Sequence, residues 1–285
     1  MISQKLKIAL LTILVSLAAA GYQPAQAQKI ERRPFEPGEE LIFKAEVSRA
    51  LLKKIDVATF RFRVEQAPAP TNAHSSKIRS APYVLKFTGD VASEGFFTKL
   101  FNLKFHQHVE STVDPESLTV RKTVKLDEQG KRVRTSEAAF DQTSGKVVWT
   151  ERDPNDPGRP ERIISSDFTG AVQDVVSAIY YLRSRQLDLG HDFELLISDS
   201  GRVYKVPVRV MEKKQMKTVL GRVRAVRVEP ELFGENGMVK SKAKFSIWLT
   251  DDQRHLPVSA QLKGEFGTFD ITLKKVSQPA PVADR

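Results

Sequence analysis

The segment "IDVATFRFRVE", Ile55 to Glu65, decides the fold class. It sets Ala58, Phe60, Phe62 and Val64 on one side and Thr59, Arg61 and Arg63 on the other. A helix scatters those phenylalanines around its circumference, whereas a half-buried strand aligns them. The same alternation returns in "LFNLKFHQHVE", with Phe101, Leu103, Phe105 and Val109 directed inward. It recurs in "AKFSIWL" through Ala243, Phe245, Ile247 and Leu249, and in "FDITL" through Phe269, Ile271 and Leu273. Further strands are expected at 39–48, 82–91, 117–126, 131–140, 145–151, 192–198, 202–212, 219–229 and 256–263.

The connectors point to antiparallel pairing. "DEQGK", "QTSGK" and "SDSGR" are short and place Gly130, Gly145 and Gly201 where a hairpin wants a positive φ. Parallel strands need long crossovers, and repeated helices to supply them are missing. A sheet of about a dozen strands must curl, close or split into layers. The expectation is a mainly β protein: a curved antiparallel or half-open barrel-like sheet with one packed α-helix. A two-layer β-sandwich is the alternative. "APAPTNAHSSKIRSAP" (67–82) and "RDPNDPGRP" (152–160) read as mobile loops, and "SQPAPVADR" as a disordered tail over 277–285. Residues 28–276 then form one domain.

The helix is read in "DVVSAIYYLRSR", Asp174 to Arg185. At about 100° per residue, Val172, Val175, Val176, Ile179 and Leu182 share a face, with Gln173, Asp174, Ser177, Tyr181 and Ser184 opposite. Asp174 suits the helix start, and Arg183 and Arg185 its end. Arg183 nevertheless falls inside the apolar stripe. A cation there either meets a carboxylate that docks the helix or waits for an anionic ligand. A wide-striped helix on a curved sheet plugs the hollow that the sheet makes, and any remaining cavity makes it a lid.

The N-terminus addresses the compartment. Lys5 and Lys7 precede an apolar stretch from Ile8 to Ala20, and "AQA" at 25–27 supplies small residues for a signal peptidase. Residues 1–27 read as a secretory signal cleaved after Ala27, and the run is short for a retained anchor. Cleavage lowers the formal charge from +10 to +8. With no cysteine in the 285 residues, disulfides, thiolate metal sites and a lipid-modified cysteine are excluded. The expected location is the periplasm or the exterior, with no integral membrane span after cleavage. A pI near 9.6 favours anionic partners such as headgroups or envelope polymers. Export and sparse interleaved aromatics count against nucleic acid.

"QDVVSAIYYLR" (173–183), "LG" (189–190), "TVLGRVRAVRVEP" (218–230) and "IWLTDDQRHLPV" (247–258) resemble the exported bacterial proteins grouped as domain of unknown function 3108. Asp174, Ser177, Tyr180, Arg183, Gly221, Trp248, Asp251, Asp252, Arg254 and Pro257 match that pattern, and "PGEELIF" (37–43) resembles its first strand. The resemblance spans roughly residues 36 to 276. It implies a mostly antiparallel β protein with a helix, secreted or periplasmic, and no activity.

Motifs for chemistry are weak. His106 and His108 share a strand face roughly 7 Å apart, with Glu110 as a third metal ligand, but Lys104 on that face opposes a cation. Asp251, Asp252 and His255 crowd a strand end that suits acid–base work, yet "TDDQRHLP" also reads as an ordinary turn. No nucleophile elbow, P-loop or dinucleotide fingerprint occurs. "GFFTKLF" (95–101), with Phe96, Phe97 and Phe101, reads as a strand approach or a short core helix, and if exposed as an apolar lip that meets lipid or a partner. Arg61 and Arg63, Arg121 and Lys125, Arg222 and Arg224, and Lys242 and Lys244 fall on outward strand faces. No cofactor is expected. The leading expectation is a non-enzymatic binder of a lipid, other amphiphile or anionic envelope component, with Arg183, Tyr180 and the three phenylalanines as ligand contacts. The alternatives are an envelope assembly partner protein, and a hydrolase-like enzyme using Asp251, Asp252 or His255. Asp174, Ser177, Trp248, Arg254 and Pro257 are expected to serve the structure.

Overall fold

The computed structural model describes residues 33–49, 52–69, 82–93, 104–235, 237–265 and 267–277. The signal segment 1–27, most of loop 67–82, the lip with Phe96, Phe97 and Phe101, and the tail beyond Ser277 lie outside the described residues.

Alternation yields eight successive strands: β1 (Glu40–Arg49), β2 (Leu52–Pro68), β3 (Tyr83–Ser93), β4 (Phe105–Val113), β5 (Val120–Gln129), β6 (Arg132–Asp141), β7 (Lys146–Arg152) and β8 (Arg162–Asp167). A three-residue strand β9 (Val172–Asp174) runs directly into the helix α1 (Val175–Arg183). The chain then continues through β10 (Phe193–Asp199), β11 (Arg202–Thr218), β12 (Gly221–Pro230), β13 (Lys244–Thr250), β14 (Pro257–Gly264) and β15 (Gly267–Ser277). All fifteen join one sheet in the order β8-β7-β6-β5-β4-β3-β2-β1-β15-β14-β13-β12-β11-β10-β9. Every neighbouring pair is antiparallel except β9 on β10. The first and last strands therefore meet in the middle, Glu40 opposite Ser277 and Ser48 opposite Thr268. One wing runs from β1 to β8 and the other from β15 to β9. Among the described residues the chain is a curved, barrel-like sheet with one helix, and not a two-layer sandwich.

Side chains, rather than a backbone ladder, draw the far ends of the wings together. The β10–β11 turn holds Ser200 at φ +49° and Gly201 at φ +76°, the two left-handed residues that a tight hairpin turn of primed type requires. Gly201 is also pressed against the opposite wing: a Cβ there would lie 2.8 Å from the Ile164 Cβ and 2.9 Å from the Trp149 Cβ. The Ser166 hydroxyl donates to the Gly201 carbonyl at 2.7 Å. Beside it, Gln173 Nε2 donates to the Leu118 carbonyl at 2.8 Å. Thr123 Oγ1 donates to the Asp174 carboxylate and ties β5 to the strand that leads into the helix.

The helix lies between the wings and packs on both. Val176 and Tyr180 join Phe35, Val64, Leu85, Phe87, Val113 and Leu118 on one side. Ala178 and Leu182 join Leu195, Ile197, Val206, Val208, Val226, Val228 and Leu249 on the other. The Tyr180 ring stacks on Phe87 at 4.2 Å and meets Phe35 edge-on at 5.2 Å. Nine residues are too few to hold a helix in water. Burial of Val176, Tyr180 and Leu182, on the order of 1.5–3 kcal/mol each, supplies what propensity lacks.

The wheel drawn from sequence starts three residues early. Val172, Gln173 and Asp174 are strand, so Gln173 and Asp174 leave the supposed solvent face and are buried, as is Ser177. Strand β8 was missed outright, because adjacent Ile163 and Ile164 break the alternation. Close packing makes one substitution informative. A Cβ on buried Gly89 would sit 2.9 Å from Val176 Cγ2 and 3.3 Å from Phe62 Cε1. Gly89→Ala is therefore expected to destabilise by about 1–3 kcal/mol, as overpacking does, read as a lowered midpoint in urea unfolding. An unchanged or raised midpoint would show that the helix is not seated tightly on β3.

Candidate functional site

The helix begins with a reciprocal cap. Asp174 Oδ1 accepts from the backbone N–H of Val176 at 2.9 Å and of Ser177 at 2.8 Å, while the Ser177 hydroxyl accepts from the Asp174 N–H at 2.9 Å. Three backbone donors at the helix start are thus satisfied by side chains of the cap itself. The helix ends on Arg183, whose side chain is 0% exposed. Its Nη1 meets Glu39 Oε1 at 2.5 Å and its Nη2 meets Oε2 at 3.1 Å, a bidentate pair with an equally buried carboxylate. Nη2 also donates to the Pro34 carbonyl at 2.8 Å and Nε to the Arg254 carbonyl at 3.2 Å. The Phe35 and Tyr180 rings cover the guanidinium at 5.5 and 5.6 Å. Tyr180 is sealed in by the same packing, and burial pushes its hydroxyl far above the ordinary phenol range, so it stays protonated.

Of the two roles open to Arg183 in sequence, the geometry fits docking: its fork is occupied by protein groups. Three stretches that carry the family resemblance converge here, namely 37–43 through Glu39, 173–183 through the helix, and 247–258 through the β13–β14 turn. In that turn His255 Nδ1 lies 2.8 Å from the Arg183 carbonyl, and Asp252 Oδ1 accepts from Thr250 Oγ1 at 2.7 Å and from the Arg254 N–H at 3.0 Å. Arg254 Nη2 stands 3.6 Å from Glu39 Oε2. Asp251 turns elsewhere, to Lys213 at 2.8 Å and Arg224 at 3.0 Å. Asp251, Asp252 and His255 thus each serve a different structural contact. Pro257 opens β14 opposite Leu249, and Trp248 is buried beneath Lys214, whose Nζ stands 4.1 Å from the ring centroid.

The third face of the helix, Val175 and Ile179, looks into an open-sided cavity of about 520 Å³ lined by the β2–β8 wing and by Ser198 to Ser200 of the other wing. Strand register builds its wall in rungs. One rung runs Phe62, Gly89, Val109, Lys125, Ser136, Glu151 and Arg162. The next runs Phe60, Val91, Gln107, Asp127 and Arg134. Each is apolar on β2 and β3 and polar on β5 and beyond. The wall is therefore mixed: Phe60, Phe62, Val91 and Val109 line it on β2 to β4, Ala138, Phe140 and Trp149 add apolar surface on β6 and β7, and the charged groups of the two rungs stand between them.

Most charges on that wall are matched. Asp127 accepts from Arg132 Nη1 at 2.8 Å and Gln107 Nε2 at 3.1 Å. Burial alone would raise its carboxyl, but Arg132, Gln107, Gln129 and the Lys125 charge together hold it below the usual range, so it stays ionised. Arg134 meets Asp153 at 2.5 Å. Among the described residues neither Lys125 nor Arg162 has a carboxylate at ion-pair distance; the Arg162 guanidinium rests 5.7 Å over the Trp149 ring. Sequence reasoning placed Lys125 outward with Arg121. In fact Thr123, Lys125 and Asp127 point in, while Val124 is exposed. Trp149, Phe140 and Arg162 went unflagged, though the phase of Ala138 and Phe140 along β6 was a usable signal.

His106, His108 and Glu110 share the outer face of β4, away from the cavity. His106 Nδ1 lies 2.8 Å from Glu128, His108 Nδ1 lies 2.7 Å from Asp90, and Glu110 accepts from Lys86 at 2.8 Å. Among the described residues no three His, Cys, Asp or Glu side chains are disposed to hold a metal ion. Nor is any described helix long and apolar enough to cross a membrane.

Comparison with known proteins identifies a family. The model of the family described as "Protein of unknown function (DUF3108)" matches residues 46–274. No curated protein matches. A β-barrel-like protein of DUF1849 from Brucella abortus aligns over 85% of this chain and 98% of its own, with 12% identity and a TM-score of 0.49. A protein from Parabacteroides distasonis provisionally described as a lipoprotein aligns over 86% and 98%, with 8% identity and a TM-score of 0.30. The hypothetical protein CT021 from Chlamydia trachomatis aligns over 88% and 93%, with 9% identity and a TM-score of 0.28.

The Arg183–Glu39 pair predicts a double-mutant cycle. Arg183→Met or Glu39→Met alone leaves a buried charge without its partner and is expected to cost about 3–5 kcal/mol in chemical denaturation. The double variant should cost well below the sum. Additive losses would show that the two side chains act independently.

Proposed function

The chain belongs to the DUF3108 family, and on that premise we propose that it is an exported, non-enzymatic protein that binds an amphiphile in the helix-floored cavity. One observation carries the reading: the cavity sets apolar side chains of β2, β3 and the helix beside two cations, Lys125 and Arg162, that have no carboxylate at ion-pair distance among the described residues. An apolar tail fits against Phe60, Phe62, Val91, Val109, Val175 and Ile179, and gains about 25 cal/mol for each Å² removed from water. An anionic group fits between Lys125 and Arg162. Glu151, between them on the same rung, takes a hydroxyl or ammonium of the head. The volume lies within the range of ligand pockets for small molecules, about 300–1,000 Å³. Export rests on the N-terminal pattern of two lysines, an apolar run and small residues.

The reading departs from the sequence expectation in its contacts. Arg183 and Tyr180 hold the helix in place and leave the head to Lys125 and Arg162. The assignment of Asp251, Asp252 and His255 to catalysis gains no support from their separate contacts.

The test is native mass spectrometry of the purified protein, followed by titration with a dansyl-labelled long-chain fatty acid. Uptake should saturate with enhanced fluorescence. Val91→Trp, which fills the cavity, should abolish it without loss of the folded transition. Lys125→Glu with Arg162→Glu should weaken it at least about tenfold, since a charge-assisted hydrogen bond contributes about 1.5–3 kcal/mol. Empty protein that takes up no probe, or a Val91→Trp variant that binds as well as the parent, would sink the reading.

A further inference from the structure

The β11–β12 hairpin outruns the sheet. β10 follows β11 only as far as Val208, and β13 pairs with β12 from Ala225 to Val228, extended one step by the Asp251 N–H bonded to the Arg224 carbonyl. Beyond that, Met216–Val223, Lys217–Arg222 and Thr218–Gly221 pair with each other alone, and of these Met216 still packs on the core beside Trp248. At about 3.3 Å per residue the three rungs form a two-stranded arm of roughly 10 Å.

The arm's composition is one-sided. Residues 213–224 hold five cations and no carboxylate. Lys213 and Arg224 are committed to Asp251, and Lys214 lies over Trp248. Lys217 and Arg222 stand directly opposite one another, and neither has a carboxylate at ion-pair distance among the described residues. Like charges facing each other across a ladder are destabilising, and an external anion removes that cost.

The tip is apolar where the turn does not ask for it. Val219 is 54% and Leu220 41% exposed. The turn is made by its neighbours: Thr218 Oγ1 accepts from the Leu220 N–H at 3.1 Å, and Gly221 supplies the left-handed backbone at φ +89°. Polar side chains at 219 and 220 would satisfy the same geometry and avoid exposing apolar surface.

We infer that this arm docks the protein on an anionic lipid surface, with Val219 and Leu220 entering the headgroup–acyl boundary and Lys217 and Arg222 meeting the phosphates. The cation rung lies two residues behind the tip, roughly 7 Å. That spacing fits the 5–10 Å burial depth of interfacial segments. A protein partner fits less well, because a convex ribbon tip falls far short of the ~1,000 Å² that stable protein interfaces bury.

The arm stands on observations independent of the cavity, and the test separates the two. The full chain is mixed with phosphatidylcholine vesicles with or without phosphatidylglycerol, and flotation is measured. Binding should require phosphatidylglycerol and fall with added salt. Lys217→Ser and Arg222→Ser should each weaken it about fivefold. Val219→Ser with Leu220→Ser should reduce it further, whereas Val91→Trp should float as the parent does. Every variant keeps the same N-terminal residues, so the differences belong to the arm. Because the chain has no cysteine, Val219→Cys can carry a single polarity-sensitive dye. Its emission should shift to the blue on phosphatidylglycerol vesicles, and a dye at Val148→Cys on the outer face of β7 should not respond. Equal flotation of all arm variants, or a dye at residue 219 that stays in water while the protein floats, would overturn the inference.

Discussion

A single buried ion pair organises the molecule. Arg183 closes the helix and Glu39 precedes the first strand, yet the two meet with no water between them. Two charges taken from water carry a desolvation cost that only near-ideal geometry offsets. Here the carboxylate grips the guanidinium fork at both nitrogens, two carbonyls take two more of its donors, and aromatic rings cover the faces. The pair specifies one arrangement because any shift of the helix leaves a charge buried alone. It also joins the segment before β1, the helix and the β13–β14 turn, three parts of the chain far apart in sequence.

From that anchor the rest of the site follows. The helix is held at its end by Arg183 and at its start by the Asp174–Ser177 cap, so its position between the wings is set at both termini. Two of its faces are then consumed by packing on the two wings. The third face, Val175 and Ile179, remains over the cavity. Strand register decides its chemistry, because a residue's rung determines which neighbours stand beside it. Sheet order sets Phe60, Phe62 and Val91 of β2 and β3 at a distance from Lys125, Glu151 and Arg162 on β5 to β8, so the hollow carries both apolar and charged groups.

The ligand proposed for the cavity and the surface proposed for the arm share one chemistry. The cavity sets apolar side chains near Lys125 and Arg162, and the arm sets Val219 and Leu220 ahead of Lys217 and Arg222, cations with no carboxylate at ion-pair distance among the described residues. β11 runs for 17 residues although β10 pairs with only seven of them.

The sequence by itself determined the class of the molecule. Period-two alternation in Phe60, Phe62 and Val64, or in Phe245, Ile247 and Leu249, is a local property of a pleated backbone and is legible without partners. So were the turn glycines and the apolar stripe that includes Val176, Ile179 and Leu182. What alternation could not show is an inner face that is polar. It assumes that apolar side chains point in, and so it turned Lys125 outward when the ladder to Val109 and Ser136 turns it toward the cavity. It likewise missed β8, where two adjacent isoleucines mask the period, and placed Val172 to Asp174 on a helix although β10 claims them as a strand. The partner of Arg183 was out of reach for a related reason. Glu39 lies 144 positions away, and only the folded sheet, which brings both ends of the chain to its centre, could choose it among the available carboxylates.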